Sequence, residues 1–301
     1  MTPWPAVEPA AAALRAALAA GQAIMAVYGR DFDVDYKADR SPLTDADRAA
    51  HDGIARELRV TGLPQLSEEG AQVPYAERRD WPVLWLIDPL DGTKEFVKRN
   101  GDFTVNIALV EHGRPVLGVV YVPAHQDLYF GMQGVGAYRM TGPAVFQALE
   151  DFPDTFPDLG SPWRRLVPGG PRTGPLRVVA SRSHGTPATE AFLARLRAGG
   201  QAVEQVARGS ALKMCMVASG EARLYPRLAP TMEWDTAASQ AVVECAGGVV
   251  TVYDDAAHAA FMERGPAALF EAAPLTYNRE NLRNPWFVAA HPSVAAPGAG
   301  G

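Results

Sequence analysis

The chain has 301 residues, is 48% hydrophobic and carries a formal charge of −6 at neutral pH. That length, with a mean hydropathy of −0.09, fits one large or two ordinary soluble domains with a well-filled core. The acidic balance excludes a general nucleic-acid binder, which must neutralise phosphates with lysine and arginine, while leaving individual nucleotides as ligands.

Leu14, Leu18, Gly21 and Met25 follow helical spacing, so residues 8–28 read as an amphipathic first helix. No basic residue precedes Arg15, and Arg15 and Gln22 interrupt the alanine-rich run. Neither a signal peptide nor a membrane span is expected, and the cytoplasm is the default location. A second helix is expected from Thr44 to Leu58, capped by Thr44 or Asp45. Leu63 and Leu66 suggest a short edge strand running into Ser67-Glu68-Glu69-Gly70. Val83 to Ile87 reads as a buried strand that leaves its sheet at Asp88, because Pro89 cannot donate to a ladder.

Phe103 to Val110, Pro115 to Val122 and Asp127 to Phe130 then read as an antiparallel meander. Met140 to Arg172 holds six prolines and four glycines with little periodicity, which predicts a surface insertion rather than a folded unit. Beyond it, strands at Leu176–Ala180, Ala202–Ala207 and Ala222–Tyr225 alternate with helices at Thr186–Ala198 and Ser210–Ala218. Trp234 to Ala246 reads as a helix with Asp235 in its first turn and Gly247-Gly248 as its stop. The expected organisation is an α+β domain over 1–140, the insertion at 141–174, an α/β domain over 175–291 and a disordered tail at 292–301. Cys215 and Cys245 lie in apolar helical patterns and are expected as free thiols.

The most informative stretch is Trp85-Leu86-Ile87-Asp88-Pro89-Leu90-Asp91-Gly92-Thr93, where an apolar run ends in two carboxylates, a glycine and a hydroxyl. Hard divalent cations favour carboxylate and carbonyl oxygens, and Leu90 offers its carbonyl between the two acids. Glu68-Glu69 and Trp234-Asp235-Thr236-Ala237-Ala238 supply further acids. Clustered carboxylates repel one another, so the set implies bound cations.

These three blocks, with Lys37-Ala38-Asp39-Arg40-Ser41-Pro42, Gly101-Asp102-Phe103-Thr104-Val105-Asn106 and Leu224-Tyr225-Pro226-Arg227, resemble the inositol monophosphatase superfamily of magnesium-dependent, lithium-sensitive phosphatases. The likeness runs from about residue 20 to 290 and is weakest in the Pro-rich insertion. It implies an α/β (α+β) fold, a layered αβαβα sandwich of the inositol monophosphatase and fructose-1,6-bisphosphatase type. It also implies two to three Mg2+ ions. Glu68, Asp88 and the Leu90 carbonyl would hold the ion that activates water. Asp88, Asp91 and Asp235 would hold a second, beside the leaving oxygen. Glu69 is a rival to Glu68. Thr93 would pair with Asp47 to take the water's proton, although an aspartate in a first helical turn also suits the helix dipole.

The resemblance is greatest to the bisphosphate nucleotidases. It implies hydrolysis of the 3'-phosphate of adenosine 3',5'-bisphosphate to AMP, with 3'-phosphoadenylyl sulfate as a further substrate. Gly92 and Thr93 would turn backbone amides toward phosphate. His184, Ser210, Lys213, Arg227 and Asp235 would contact the nucleotide, and Lys37 would approach from a loop. The alternatives are an inositol monophosphatase or other sugar-phosphate phosphatase, and a sensor that binds without turnover. A small-molecule substrate is expected and a nucleic-acid polymer is not. A monomer, a homodimer and a peripheral membrane contact all remain open at this stage.

Overall fold

The computed structural model describes residues 7–36, 42–147, 160–167, 174–181, 186–200 and 202–294. The chain opens with helix α1 (Val7–Tyr28), a ribbon of β1 (Asp35–Tyr36) and β2 (Pro42–Leu43), and helix α2 (Asp45–Leu58). Strand β3 (Gln65–Ser67) and helix α3 (Tyr75–Arg78) lead to β4 (Val83–Asp91) and the helical turn α4 (Thr93–Val97). A meander follows, of β5 (Thr104–Glu111), β6 (Arg114–Val122), β7 (Asp127–Met132) and β8 (Gly136–Thr141), then α5 (Ala144–Gln147) and β9 (Arg164–Leu166). The second half alternates β10 (Leu176–Ser181), α6 (Pro187–Ala198), β11 (Val203–Arg208), α7 (Leu212–Ala218) and β12 (Leu224–Arg227). It ends with α8 (Ala237–Cys245), β13 (Val249–Val252), α9 (Asp255–Arg264) and β14 (Phe287–Ala290).

A seven-stranded sheet runs in the order β3 to β9, and a five-stranded sheet in the order β11-β10-β12-β14-β13. Helices α1 and α2 cover one face of the larger sheet, where Trp85, Ile87, Val105, Ile107 and Leu109 meet Leu14, Leu18 and Ile54. On its other face Leu84, Leu86, Ala108 and Val110 pack with Met214, Val217, Ala238 and Val242 of α7 and α8. The smaller sheet lies beyond those helices, closed on its outer side by α6 and α9, whose Phe192 and Phe261 rings stack at 4.2 Å. The layers are therefore αβαβα. Because both faces of the central strands are covered, β4 reads as a continuous apolar run from Val83 to Ile87, and β5 from Ile107 to Val110, even though their pairing is antiparallel.

Helix α8 lies so close to the large sheet that a side chain on Gly118 of β6 or Gly131 of β7 would strike its backbone. A Cβ on Gly131 would fall 2.6 Å from the Val242 Cα. Helix α1 is long and apolar enough to cross a membrane, but its inward face, from Ala10 to Val27, is buried against α2 and the large sheet.

Four expectations change. Strand β4 continues through Pro89 to Asp91 instead of leaving the sheet at Asp88, because the pairing with β3 ends at Ile87 and no ladder bond is asked of Pro89. The expected insertion contributes β9, which extends the large sheet beside β8. Trp163 pins it, edge-on to Phe130 at 5.9 Å and to Tyr138 at 6.4 Å. Asp235 lies in a separate 3-10 turn, Glu233–Asp235, ahead of α8 rather than in its first turn. The expected tail begins with another such turn, Pro292–Val294, and the rest of it lies outside the described residues. Both cysteines are free, and burial raises their thiols, that of Cys245 to about 12.

Candidate active site

The register of β4 against β5 slips between Asp88, opposite Asn106, and Asp91, opposite Thr104. This bulge bends the strand end and re-aims its side chains. The Leu90 amide donates to Asp88 Oδ1 at 3.1 Å, folding the acid back over the bulge. Gly92 then turns the chain with φ +92°, and a Cβ there would sit 3.2 Å from the Asp102 carbonyl oxygen. Helix α4 starts immediately afterwards, with Thr93 as its first residue.

The Thr93 hydroxyl donates to Asp47 Oδ1 at 3.3 Å and lies 3.4 Å from the Leu90 carbonyl oxygen. Asp47 is 2% exposed and serves two purposes at once. Its Oδ2 accepts from the amide and the hydroxyl of Thr44, each at 2.7 Å, closing a capping box at the start of α2. Its Oδ1 receives Thr93. The cap therefore fixes the same carboxylate that meets the threonine.

Glu68 follows β3, and its amide donates to the Ile87 carbonyl at 3.1 Å, which sets it beside the end of β4. Asp235 Oδ2 accepts from the Met232 amide at 2.8 Å. Three segments distant in sequence thus converge. Carboxylate oxygens of Glu68, Asp88 and Asp235 all lie within 4.8 Å of one another. Asp91 stands outside this tightest trio, and so does Glu69. Asp91 faces Lys213 and accepts from the Ala211 amide.

Burial, reinforced by Glu68, Asp91 and Asp235, holds the Asp88 carboxyl well above the usual carboxylate range. Asp235 is raised in the same way, first by burial and then by Asp91. Asp91 is pushed up to about 6, with Lys213 opposing the effect of burial. Burial also lowers Lys213 to about 8, against the pull of Asp91 and with Arg227 adding repulsion. Oxygen-rich acids that resist ionising together become favourable once a dication joins them, so the donor set fits Mg2+.

Gly92, Asp91, Asp235, Ser210, Lys213 and Arg227 line one cleft. Lys213, at the start of α7, holds Nζ 5.8 Å over the Tyr225 ring. Arg227 ends β12 and donates from Nη2 to the Pro230 carbonyl at 2.7 Å, while its buried Nε meets no acceptor among the described residues. Ser210 is not a helix cap: it has φ +45° and a buried, unpartnered Oγ, and the first turn of α7 lacks a side-chain cap. Unpaired buried polar atoms cost about 1–3 kcal/mol each, so orphans gathered at a cleft fit a bound ligand. His184 and Lys37 lie outside the described residues.

Sequence reasoning assigned no role to Thr104, Asn106 or Glu95. Thr104 and Asn106 stand opposite the two acids of β4, and their side-chain polar atoms are buried without partners. The signal was present as two polar residues interrupting the apolar run from Phe103 to Leu109.

Residues 7–280 match the sequence profile of the inositol monophosphatase family. The 3'(2'),5'-bisphosphate nucleotidase CysQ of Shigella flexneri is 41% identical over 273 residues, which is 89% of this chain and 94% of that one. The protein of the same name from Escherichia coli strain K12 is 40% identical over the same span. The crystal structure of CysQ from Bacteroides thetaiotaomicron is 43% identical, superposes with a TM-score of 0.77, and the match covers 96% of this chain and 99% of that one. An inositol monophosphatase from Thermotoga maritima shares the fold, with a TM-score of 0.65 at 22% identity. With this profile, these relatives and this arrangement of layers, the chain belongs to the inositol monophosphatase family.

Proposed function

We propose that the protein is a Mg2+-dependent phosphomonoesterase that cleaves the 3'-phosphate from adenosine 3',5'-bisphosphate, giving AMP and inorganic phosphate in the cytoplasm. The observation that carries this reading is the charge layout of one cleft. Asp91 and Asp235, two of the acids that suit dications, share its lining with Lys213 and Arg227, a pair of cations that would suit a phosphate that is not cleaved. The similarity to nucleotidases named for bisphosphate substrates supports the same choice.

Glu68, Asp88 and Asp235 would hold the ions, joined by the Leu90 carbonyl and by Asp91, with two sites and a third near Glu68. Bound Mg2+ neutralises phosphoryl oxygens and lowers the pKa of coordinated water. The chain's own contribution is positioning. Thr93 Oγ1, held by Asp47, would accept a proton from the attacking water while passing its own to the carboxylate, assistance typically worth ~10²–10⁴ in rate. The backbone of Gly92 and Thr93 opens α4 next to the acids, and Ser210 and Arg227 offer unused polar atoms to the nucleotide.

Phosphate release measured with adenosine 3',5'-bisphosphate, 3'-phosphoadenylyl sulfate, inositol 1-phosphate and fructose 1,6-bisphosphate tests the reading. The bisphosphate nucleotide should give the highest kcat/KM, and a chelator should abolish the signal. A clear preference for inositol 1-phosphate would replace this substrate, and full turnover in the chelator would remove the metals.

A further inference from the structure

We propose that Glu233 is a positioning residue that sets the Asp235 carboxylate for its ion, through a strap formed by residues 277–284. The proposal rests on the reading of Asp235 as a metal ligand. Asp235 occupies a 3-10 turn of only three residues, with 3.2 Å backbone bonds from Asp235 to Met232 and from Thr236 to Glu233. So short a turn does not hold its own shape. Its geometry is imposed from outside.

The strap supplies that constraint. Glu233 has no exposed surface. Its Oε2 accepts from the Asn278 amide at 2.7 Å, and its Oε1 from the Arg279 amide at 3.2 Å and Arg279 Nε at 2.9 Å. Its own amide donates to the Leu282 carbonyl at 2.8 Å. On the flanks of the turn, Asn284 Nδ2 donates to the Met232 carbonyl at 2.7 Å and to Thr236 Oγ1 at 2.9 Å. Met232 is the residue whose amide holds Asp235 Oδ2. Arg279 Nη2 closes the loop by donating to Asn284 Oδ1 at 3.1 Å.

The strap is anchored to the other acid-bearing segment. Arg78, 2% exposed, donates from Nη1 to Asn278 Oδ1 at 2.9 Å and to the Arg279 carbonyl at 2.8 Å, and from Nη2 to the Glu280 carbonyl at 3.0 Å. Arg78 ends α3, in the segment that follows Glu68. One set of bonds therefore ties the turn carrying Asp235 to the stretch downstream of Glu68, two sources of carboxylates for the same cluster. A buried ion pair is a poor way to gain stability, because desolvation offsets most of the attraction. Outer residues that orient metal ligands, by contrast, typically change metal affinity tenfold to a hundredfold when replaced.

The test uses metal-free full-length protein and Mn2+ as the probe, titrated by electron paramagnetic resonance and calorimetry. Glu233→Gln, which keeps the shape but turns one of the two acceptor oxygens into an NH2 facing the amides and guanidinium that donate to it, should weaken Mn2+ binding by about tenfold to a hundredfold with an unchanged circular dichroism spectrum. Asn284→Ala should weaken it in the same direction, and carries the expectation alone if Glu233→Gln does not fold. Phe192→Leu, in the far layer between α6 and α9, serves as the stability control: a lowered Tm with unchanged Mn2+ affinity supports the proposal. Wild-type affinity in both Glu233→Gln and Asn284→Ala, or an equal loss in Phe192→Leu, overturns it. If Asp235→Asn binds Mn2+ as wild type does, the assignment of Asp235 as a ligand fails and takes the proposal with it.

Discussion

Asp88, Asp91 and Asp235 differ in what opposes their charge. Burial raises all three carboxyls; beside Asp91 stands Lys213, which holds that rise to about 6, whereas at Asp88 and Asp235 neighbouring acids add to the effect of burial. Asp91→Asn and Asp235→Asn each remove an anionic oxygen without removing volume. Each should lower Mg2+-dependent turnover by ~10²-fold or more, as losing one preorganised charge does elsewhere, with little change in circular dichroism. A near wild-type rate in either variant would take that residue out of the site.

The raised pKa values also fix the sign of a pH effect. An acid whose folded pKa exceeds its unfolded value favours folding below the unfolded pKa, and that contribution is lost as pH rises through the folded pKa. For Asp91 the window runs from 3.8 to about 6, and Asp88 and Asp235 act in the same direction. Metal-free protein should lose stability as pH rises through this window. Mg2+ competes with those protons, so the Tm gain on adding it should grow with pH. Calorimetry with Mg2+ and with chelator at about pH 5 and about pH 8 checks this, and a metal-induced shift that stays constant or shrinks at the higher pH would contradict it.

Helix α8 lies between the two sheets, since it packs on β5, β6 and β7 of the larger, on β13 of the smaller, and against α7. Its seat depends on Gly118 and Gly131, where the helix backbone takes the place of side chains. Gly131→Ala should force α8 away from the sheet and cost about 1–3 kcal/mol, the usual penalty for overpacking. Because α8 follows directly on Asp235 and Thr236, turnover should fall as well. A variant with wild-type Tm and rate would show that the close approach is not needed. The helix itself was legible from the alanine-rich run, but its boundary was not. Asp235 belongs to a turn bonded to Arg279 and Asn284, contacts spanning 46 and 48 residues that no local pattern reveals.

The meander, the start of α2 with its cap at Thr44 or Asp45, and the alternating second half were likewise readable, because hydrophobic period and caps are local signals. Strand β9 was not, since its three residues have no period and depend on Trp163 packing against Phe130 and Tyr138. The bulge at Pro89 escaped for a similar reason: whether a proline ends a strand depends on whether a neighbour asks for its amide. At the site, the acids of β4 stood out as carboxylates closing an apolar run. Thr104 and Asn106 became notable only once they were found buried opposite those acids without partners. Burial of Lys213, and its pairing with Asp91, required the whole assembly of layers.

That assembly brings Lys213 and Arg227 into one cleft with Asp91 and Asp235, and the proposed function rests on these two cations reading a second phosphate. Charge-assisted contacts contribute about 1.5–3 kcal/mol, so Arg227→Ala should lower kcat/KM for adenosine 3',5'-bisphosphate by about tenfold to a hundredfold. Lys213→Ala should show the same selectivity, with part of its effect expressed through Asp91. On 3'-AMP, which carries only the phosphate to be cleaved, Arg227→Ala should leave kcat/KM nearly unchanged. The deciding measurement is the ratio of kcat/KM for adenosine 3',5'-bisphosphate to that for 3'-AMP, in wild type and in Arg227→Ala. The account predicts that the ratio collapses by about tenfold or more in the variant; an unchanged ratio, with both substrates losing equally or neither losing at all, would contradict it.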